Sequence, residues 1–271
     1  MFIPVLACVL SAHTAVASLP TGQLPDESTV QALVGAAGFQ FRSGENLLKQ
    51  TRPEDNSRSA ELAGALLLIV SPPQTRTKLD EAARRLEALS ALPFDDAVAA
   101  EAAYQRVRLA QTRGELADTP LAGRYREIWT RFPDSPQAER AIVYAAIVVQ
   151  HQPGPMEARR TALLTFEEEV RGLLRSPAAR RLYHLSASLA WGRLFDDEDR
   201  ACAHLLVVYE LGLASHYTFS DVLFRLGEYH RRKGEEATAA RFFREFVARY
   251  PADRRTDLAR CLALQLQPHE P

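Results

Sequence analysis

The sequence predicts an all-α protein built from consecutive helix pairs, and three observations carry that prediction. Ser220–Asp253 sets Leu223, Leu226-Gly227, His230, Gly234, Ala239, Phe243 and Pro251 at the offsets of two short helices joined by a tight turn. The stretch Tyr125-Arg-Glu-Ile-Trp-Thr-Arg-Phe-Pro133 aligns without gaps on Phe243-Arg-Glu-Phe-Val-Ala-Arg-Tyr-Pro251, with Arg126/Arg244, Glu127/Glu245 and Arg131/Arg249 identical. Proline breaks recur at helix-length spacing, and Ser135-Pro136 and Ser176-Pro177 have the chemistry of helix starts, a capping hydroxyl followed by a residue with φ already fixed.

Taken in order, Ala60–Val70 reads as an apolar helix stopped by Ser71-Pro72-Pro73, and Lys78–Leu92 as its partner, stopped by Pro93. Ala97–Thr112 and Leu121–Phe132 form the next pair, with Thr119 as expected cap and Pro120 as expected first helical residue. A helix from Ser135-Pro136 to about Gln150 pairs with Met156–Leu174 across Gln152-Pro153-Gly154-Pro155, and one from Ser176-Pro177 to Leu194 pairs with Asp197–Leu211. In the last and clearest pair, Arg231-Arg232-Lys233 suits a helix C-terminus, Gly234 supplies the turn, and Pro251 stops the second helix. Gly227 and Ala239 are expected to face each other where the two helices cross, with Phe243 filling the space between pairs. Asp253 is placed to cap the next segment, and Arg254–Gln267 reads as a closing amphipathic helix.

Hydrophobic residues make up 46% and charged residues 25%, the composition of an ordered protein. The formal net charge of −1 and the lack of a long basic block argue against nucleic acid as a partner. Only Lys49, Lys78 and Lys233 among 33 basic residues are lysine, a skew that fits a GC-rich, bacterial genome. Phe2–Leu10 is apolar but too short to span a bilayer, and Ala15-Val16-Ala17 is a small-x-small cleavage site, so residues 1–17 are expected to be a signal peptide and the mature chain to be periplasmic or secreted. Residues 18–58 are expected to be a linker and N-terminal cap, and 59–271 one array. After cleavage no membrane-spanning segment is expected, and Cys202 and Cys261 are expected as reduced, mostly buried thiols.

No catalytic, metal or cofactor motif emerges, and a non-catalytic chain is expected. None of the seven histidines has metal-ligand spacing, and Cys202 and His204, two apart on a helix, point about 200° apart. His184 and Ser186 read as helical neighbours, while Asp95-Asp96 and Asp196-Asp197-Glu198-Asp199 sit where acidic groups cap helices and complement their dipoles.

The Ser220–Asp253 pattern resembles the tetratricopeptide repeat, a 34-residue helix–turn–helix unit, with Leu223 standing where that family usually has Trp and His230 where it usually has Tyr. The aromatic-Pro endings resemble those of bacterial envelope repeat proteins, the outer-membrane barrel-assembly lipoprotein and the Tol-Pal-associated coordinator. The resemblance implies a right-handed α-solenoid of about five tetratricopeptide-like helix pairs with capping helices, because one such unit cannot bury its apolar face alone. It also implies a protein or peptide partner on the concave face. Carried onto the clearest copy, the contact positions are Asp221, Phe224, Glu228, Arg231 and Arg232, joined at similar positions of earlier pairs by Tyr104, Tyr183 and Trp191. Packed core aromatics and a solvated charged face are the alternative reading of the same residues. A helical scaffold serving a cell-wall enzyme and a cytosolic regulatory module remain open as alternative functions.

Overall fold

A computed structural model describes residues 58–114, 120–212 and 217–266. The signal-peptide, linker and N-terminal-cap assignments and Thr119 lie outside the described residues. Those residues form eleven α-helices and no strands. The chain divides into two units, Met1–Ala145 and Ala146–Pro271, described in turn.

The first unit contains α1 (Arg58–Val70), α2 (Arg76–Ser90), α3 (Ala97–Arg113), α4 (Leu121–Arg131) and the start of α5 (Pro136–Gln150). Helix α1 packs on α2 and α2 on α3 around Leu62, Ala65, Ala82, Leu86, Leu89, Ala102 and Leu109. Small residues at these crossings let the helices approach while the leucines fill the gaps. Side-chain oxygens cap the helix starts: Thr75 accepts from the Lys78 N–H of α2 and Asp96 from the Ala99 N–H of α3. Helix α3 ends at Gly114, whose φ of 69° is a left-handed stop that a side chain would disfavour. Pro120, expected as the first helical residue, instead occupies the N-cap of α4 and supplies no side-chain cap. Trp129 of α4 is buried.

A buried carboxylate joins α3 to α5: Glu101 accepts from Gln137 at 2.7 Å and from Arg140 at 3.3 Å. Such a group is tolerable inside only because it is both hydrogen-bonded and paired with a cation.

The second unit holds the rest of α5, then α6 (Met156–Glu169), α7 (Pro177–Leu189), α8 (Glu198–Glu210), α9 (Tyr217–Arg232), α10 (Glu236–Arg249) and α11 (Thr256–Gln265). Ser176 caps α7 through its hydroxyl and Asp197 caps α8 through its carboxylate. Helix α7 does not stop at Leu189 but runs into a π-helical turn, Ala190–Leu194. One core cluster gathers Cys202, Leu205 and Val208 of α8, Leu223 and Leu226 of α9, Phe242, Phe243 and Phe246 of α10, and Ala259 and Ala263 of α11.

The sequence match between Tyr125–Pro133 and Phe243–Pro251 extends to the backbone. Phe132 closes α4 at φ −124°, ψ 56° and Tyr250 closes α10 at φ −128°, ψ 58°, and each donates its N–H to the residue four before. The turns after these helices are alike as well, with Ser135 N–H on Phe132 C=O and Asp253 N–H on Tyr250 C=O. Tyr125 and Phe243, the aligned aromatics at the start of each stretch, are both fully buried.

One expected contact is different. A Cβ on Gly227 would lie 2.7 Å from Cε1 of Phe243, and its three nearest neighbours all belong to that ring rather than to Ala239. Gly227 therefore makes room for Phe243 of its own helix pair. Cys261, expected to be mostly buried, is exposed, and Cys202 is buried with its thiol pushed up to about 11, chiefly by burial.

Two glycines give opposite expectations. Gly227→Ala must displace a buried ring and should cost about 1–3 kcal/mol, less the roughly 1 kcal/mol that alanine gains over glycine in a helix. At Gly123, within α4, nothing lies within 4 Å of a built Cβ, so Gly123→Ala should be neutral or stabilising. Urea unfolding of both variants checks this, and a Gly227→Ala protein as stable as Gly123→Ala would contradict the packing described.

Candidate binding surface on α9

Helix α9 is amphipathic. Val222, Leu223, Leu226 and Gly227 turn inward, while Asp221, Phe224, Glu228, Arg231 and Arg232 recur at helical spacing on the other side, so the five residues implied by the resemblance share one face. Their charges are already engaged. Arg231 grips Glu228 at 3.0 and 3.3 Å, and Arg232 reaches Glu198 at the start of α8 at 2.9 Å. Nearby, Lys233 and the Tyr229 hydroxyl both hold Asp199. The side chains of Arg231 and Arg232 keep 41% and 47% of their area exposed, so a partner could still reach them.

At the other end of α9 a single arginine organises the surface. Arg255, immediately before α11, donates through Nη1 to Asp221 at 2.9 Å, through Nη2 to Ser220 at 2.9 Å and Asp253 at 3.0 Å, and through Nε to Asp253 at 3.0 Å. Its guanidinium also lies over Phe224, 4.9 Å from the ring centroid, and over Phe246 at 5.3 Å. The Arg255 guanidinium first, then the Arg255 N–H and the Ser220 hydroxyl, hold the Asp253 carboxyl well below the usual carboxylate range. Ser220, Asp221, Ala252, Asp253, Arg254 and Arg255 line an open cleft at this end. Asp253, expected as a cap, accepts the Arg255 N–H and so orders the turn into α11.

The three aromatic residues implied for the same face are interior. Tyr104 is 1% exposed, Tyr183 5% and Trp191 0%. Tyr104 packs in the first unit with Tyr125 and Tyr144, ring centroids 6.1–6.3 Å apart. Trp191 donates its indole N–H to Glu167 at 2.7 Å beneath the guanidiniums of Arg160 and Arg200. The Tyr183 hydroxyl is buried without a hydrogen-bond partner, and burial, aided by the Glu167 charge, raises its pKa. These rings fill space between helices and offer no area to a partner in this conformation.

A polar chain that no motif announces lies beside them. Nδ1 of His184 on α7 is 2.8 Å from Nδ1 of His204 on α8, and Nε2 of His204 is 3.2 Å from the Glu167 carboxylate. If Glu167 accepts the Nε2 proton of His204, the remaining lone pair on Nδ1 accepts from Nδ1–H of His184. A proton on each Nδ1 would leave two donors facing each other. Burial first, then the charges of His204 and Arg180, push His184 down to about 4, against the opposing Glu167 charge. Among the described residues no three His, Cys, Asp or Glu side chains converge as a metal site, and no helix is long and apolar enough to cross a membrane.

No known protein family, curated protein or solved structure matches this chain.

The histidine pair sets a pH dependence. The unfolded chain takes up a proton at His184 near 6.5 while the folded protein resists until about 4, so the unfolded state binds more protons between those values. Stability is therefore unaffected by this group above pH 6.5 and falls as pH is lowered towards 4. Because His184 is partly exposed, screening reduces the loss to about 1–2 kcal/mol. Denaturant unfolding at pH 7.5 and pH 4.5 should show the native protein losing more stability than His184→Gln by that margin, and equal losses would remove the pair as the cause.

Proposed function

We propose that this protein is a non-catalytic, exported scaffold of the bacterial cell envelope that holds a segment of a partner protein on the exposed face of α9. The observation that carries the reading is the division of labour in α9. One side is sealed against the phenylalanines of α10, while the other carries Asp221, Glu228, Arg231 and Arg232 beside an open cleft, with Phe224 half-buried between the two. Aromatic area with adjacent arginines is the chemistry of interface hot spots. A tetratricopeptide-like solenoid is the arrangement we propose for the helix pairs, supported by the shared backbone geometry at Phe132 and Tyr250. Export rests on the apolar run Phe2–Leu10 followed by Ala15-Val16-Ala17.

A photo-crosslinking residue placed at Glu228 in the native host should capture a discrete protein. One placed at Arg244, exposed on α10, should not. The double variant Arg231→Ala with Arg232→Ala should weaken capture at least tenfold with little change in melting temperature, since exposed ion pairs add little to stability. Capture from Arg244 alone would move the binding face to α10 and overturn the proposal.

A further inference from the structure

Arg225, on α9 beside Phe224, is a half-buried cation with no ion-paired carboxylate among the described residues. Among the described residues it donates to Ser188 on α7, Nη1 to the hydroxyl at 3.4 Å and Nη2 to the carbonyl at 3.3 Å, both neutral acceptors and both long. A guanidinium has five N–H donors and cannot lose its charge to relieve the cost of burial. Burial and the neighbouring Arg193 destabilise the charged form, while Asp221 alone among nearby carboxylates supports it. Yet Asp221 is held by Arg255 at 2.9 Å.

Arg193 is exposed in the π-helical turn after α7 and has no ion-pair partner among the described residues. The turn brings bare backbone up to Arg225: a Cβ on Gly192 would lie 3.4 Å from Arg225 Nη2 and 3.2 Å from the Ala201 Cβ. Single π-turns inside α-helices recur at functional sites. Arg254, also exposed and without a partner among the described residues, lines the cleft together with Asp221. The cleft sets Arg254 and Arg255 against Asp221 and Asp253, and Arg225, one turn along α9 from Asp221, adds a further positive charge with Arg193 beside it.

We propose that this excess is a binding site for side-chain carboxylates of an acidic partner segment, with Arg225 as its fixed donor and Arg193 and Arg254 as flanking cations. The inference rests on the scaffold reading and names the chemistry of its partner. Arginine suits it, because the planar fork pairs with a carboxylate through two parallel hydrogen bonds, and Ser188 fixes the orientation of that fork in advance. A half-buried charge kept without a counter-ion costs stability, so removing it should not weaken the fold.

The test uses the full chain and a fluorescein-labelled hexaglutamate peptide with an amidated C-terminus, followed by anisotropy. Arg225→Gln and Arg193→Gln should each weaken binding about tenfold, Arg244→Gln should leave it unchanged, and raising the salt should weaken the native complex. Arg225→Gln should melt no lower than the native protein, whereas an arginine retained for structure alone would give a lower melting temperature and unchanged peptide affinity. Arg225→Lys, which keeps the charge and loses the fork, covers the case in which the glutamine variant fails to fold, and should also bind more weakly. Hexaglutamate binding unaffected by Arg225→Gln or Arg225→Lys, or no binding by the native protein, overturns the proposal. Displacement of the peptide by inorganic phosphate as readily as by free hexaglutamate reassigns the site to small anions and overturns it as well. Persistent capture from Glu228 alongside any of these failures leaves the scaffold reading standing, and loss of both removes both.

Discussion

The approach of the Phe243 ring to the bare backbone at Gly227 is the contact on which the second unit depends. Because no side chain stands at 227, the ring can approach α9 closely, and Phe224 makes T-shaped contacts with Phe243 at a centroid distance of 5.7 Å and with Phe246 at 5.5 Å. Arg255 in turn lies over the Phe224 ring. The polar organisation of the surface thus starts from a steric fact in the core: the position of Arg255, and with it the shape of the cleft, is set by where the phenylalanines fit.

Charge is distributed unevenly over this frame. Near the C-terminal end of α9, cations and carboxylates match closely, with Arg231, Arg232 and Lys233 answered by Glu228, Glu198 and Asp199. Exposed pairs of this kind add little stability individually, but they hold long side chains in defined places. Near its N-terminal end the match fails: Asp221 and Asp253 both turn to Arg255, which leaves Arg225 and Arg254 without an ion pair among the described residues. The two ends of α9 therefore differ in how far their arginines are neutralised by neighbouring carboxylates.

Helix ends were readable in the chain because their causes are local. Ser176, Asp96 and Asp197 accept the N–H three residues on, and Gly234 supplies a left-handed stop, so a few adjacent residues suffice to place each of these boundaries. The face of α9 was readable for a similar reason, since the offsets of Leu223, Leu226 and Gly227 give the register. What spacing does not tell is whether a face is covered. Tyr104 and Tyr183 sit at plausible positions but are enclosed by neighbouring helices. Trp191 is a further case, because the π turn shifts the helical register there, with Phe195 N–H reaching back to Ala190 and Asp197 N–H to Trp191. The histidine pair was hidden for a different reason. His184 and His204 are twenty residues apart in the chain, and only the packing of α7 on α8 brings them together.

The two tryptophans are divided between the two units, Trp129 buried in the first and Trp191 in the second. Each unit thus carries its own optical reporter, and replacing one indole with phenylalanine would isolate the emission of the other. Trp191 donates to Glu167, the carboxylate that also faces His204, so the reporter of the second unit sits on the same carboxylate as the histidine pair. Unfolding of the second unit could then be followed separately from that of the first, without a label.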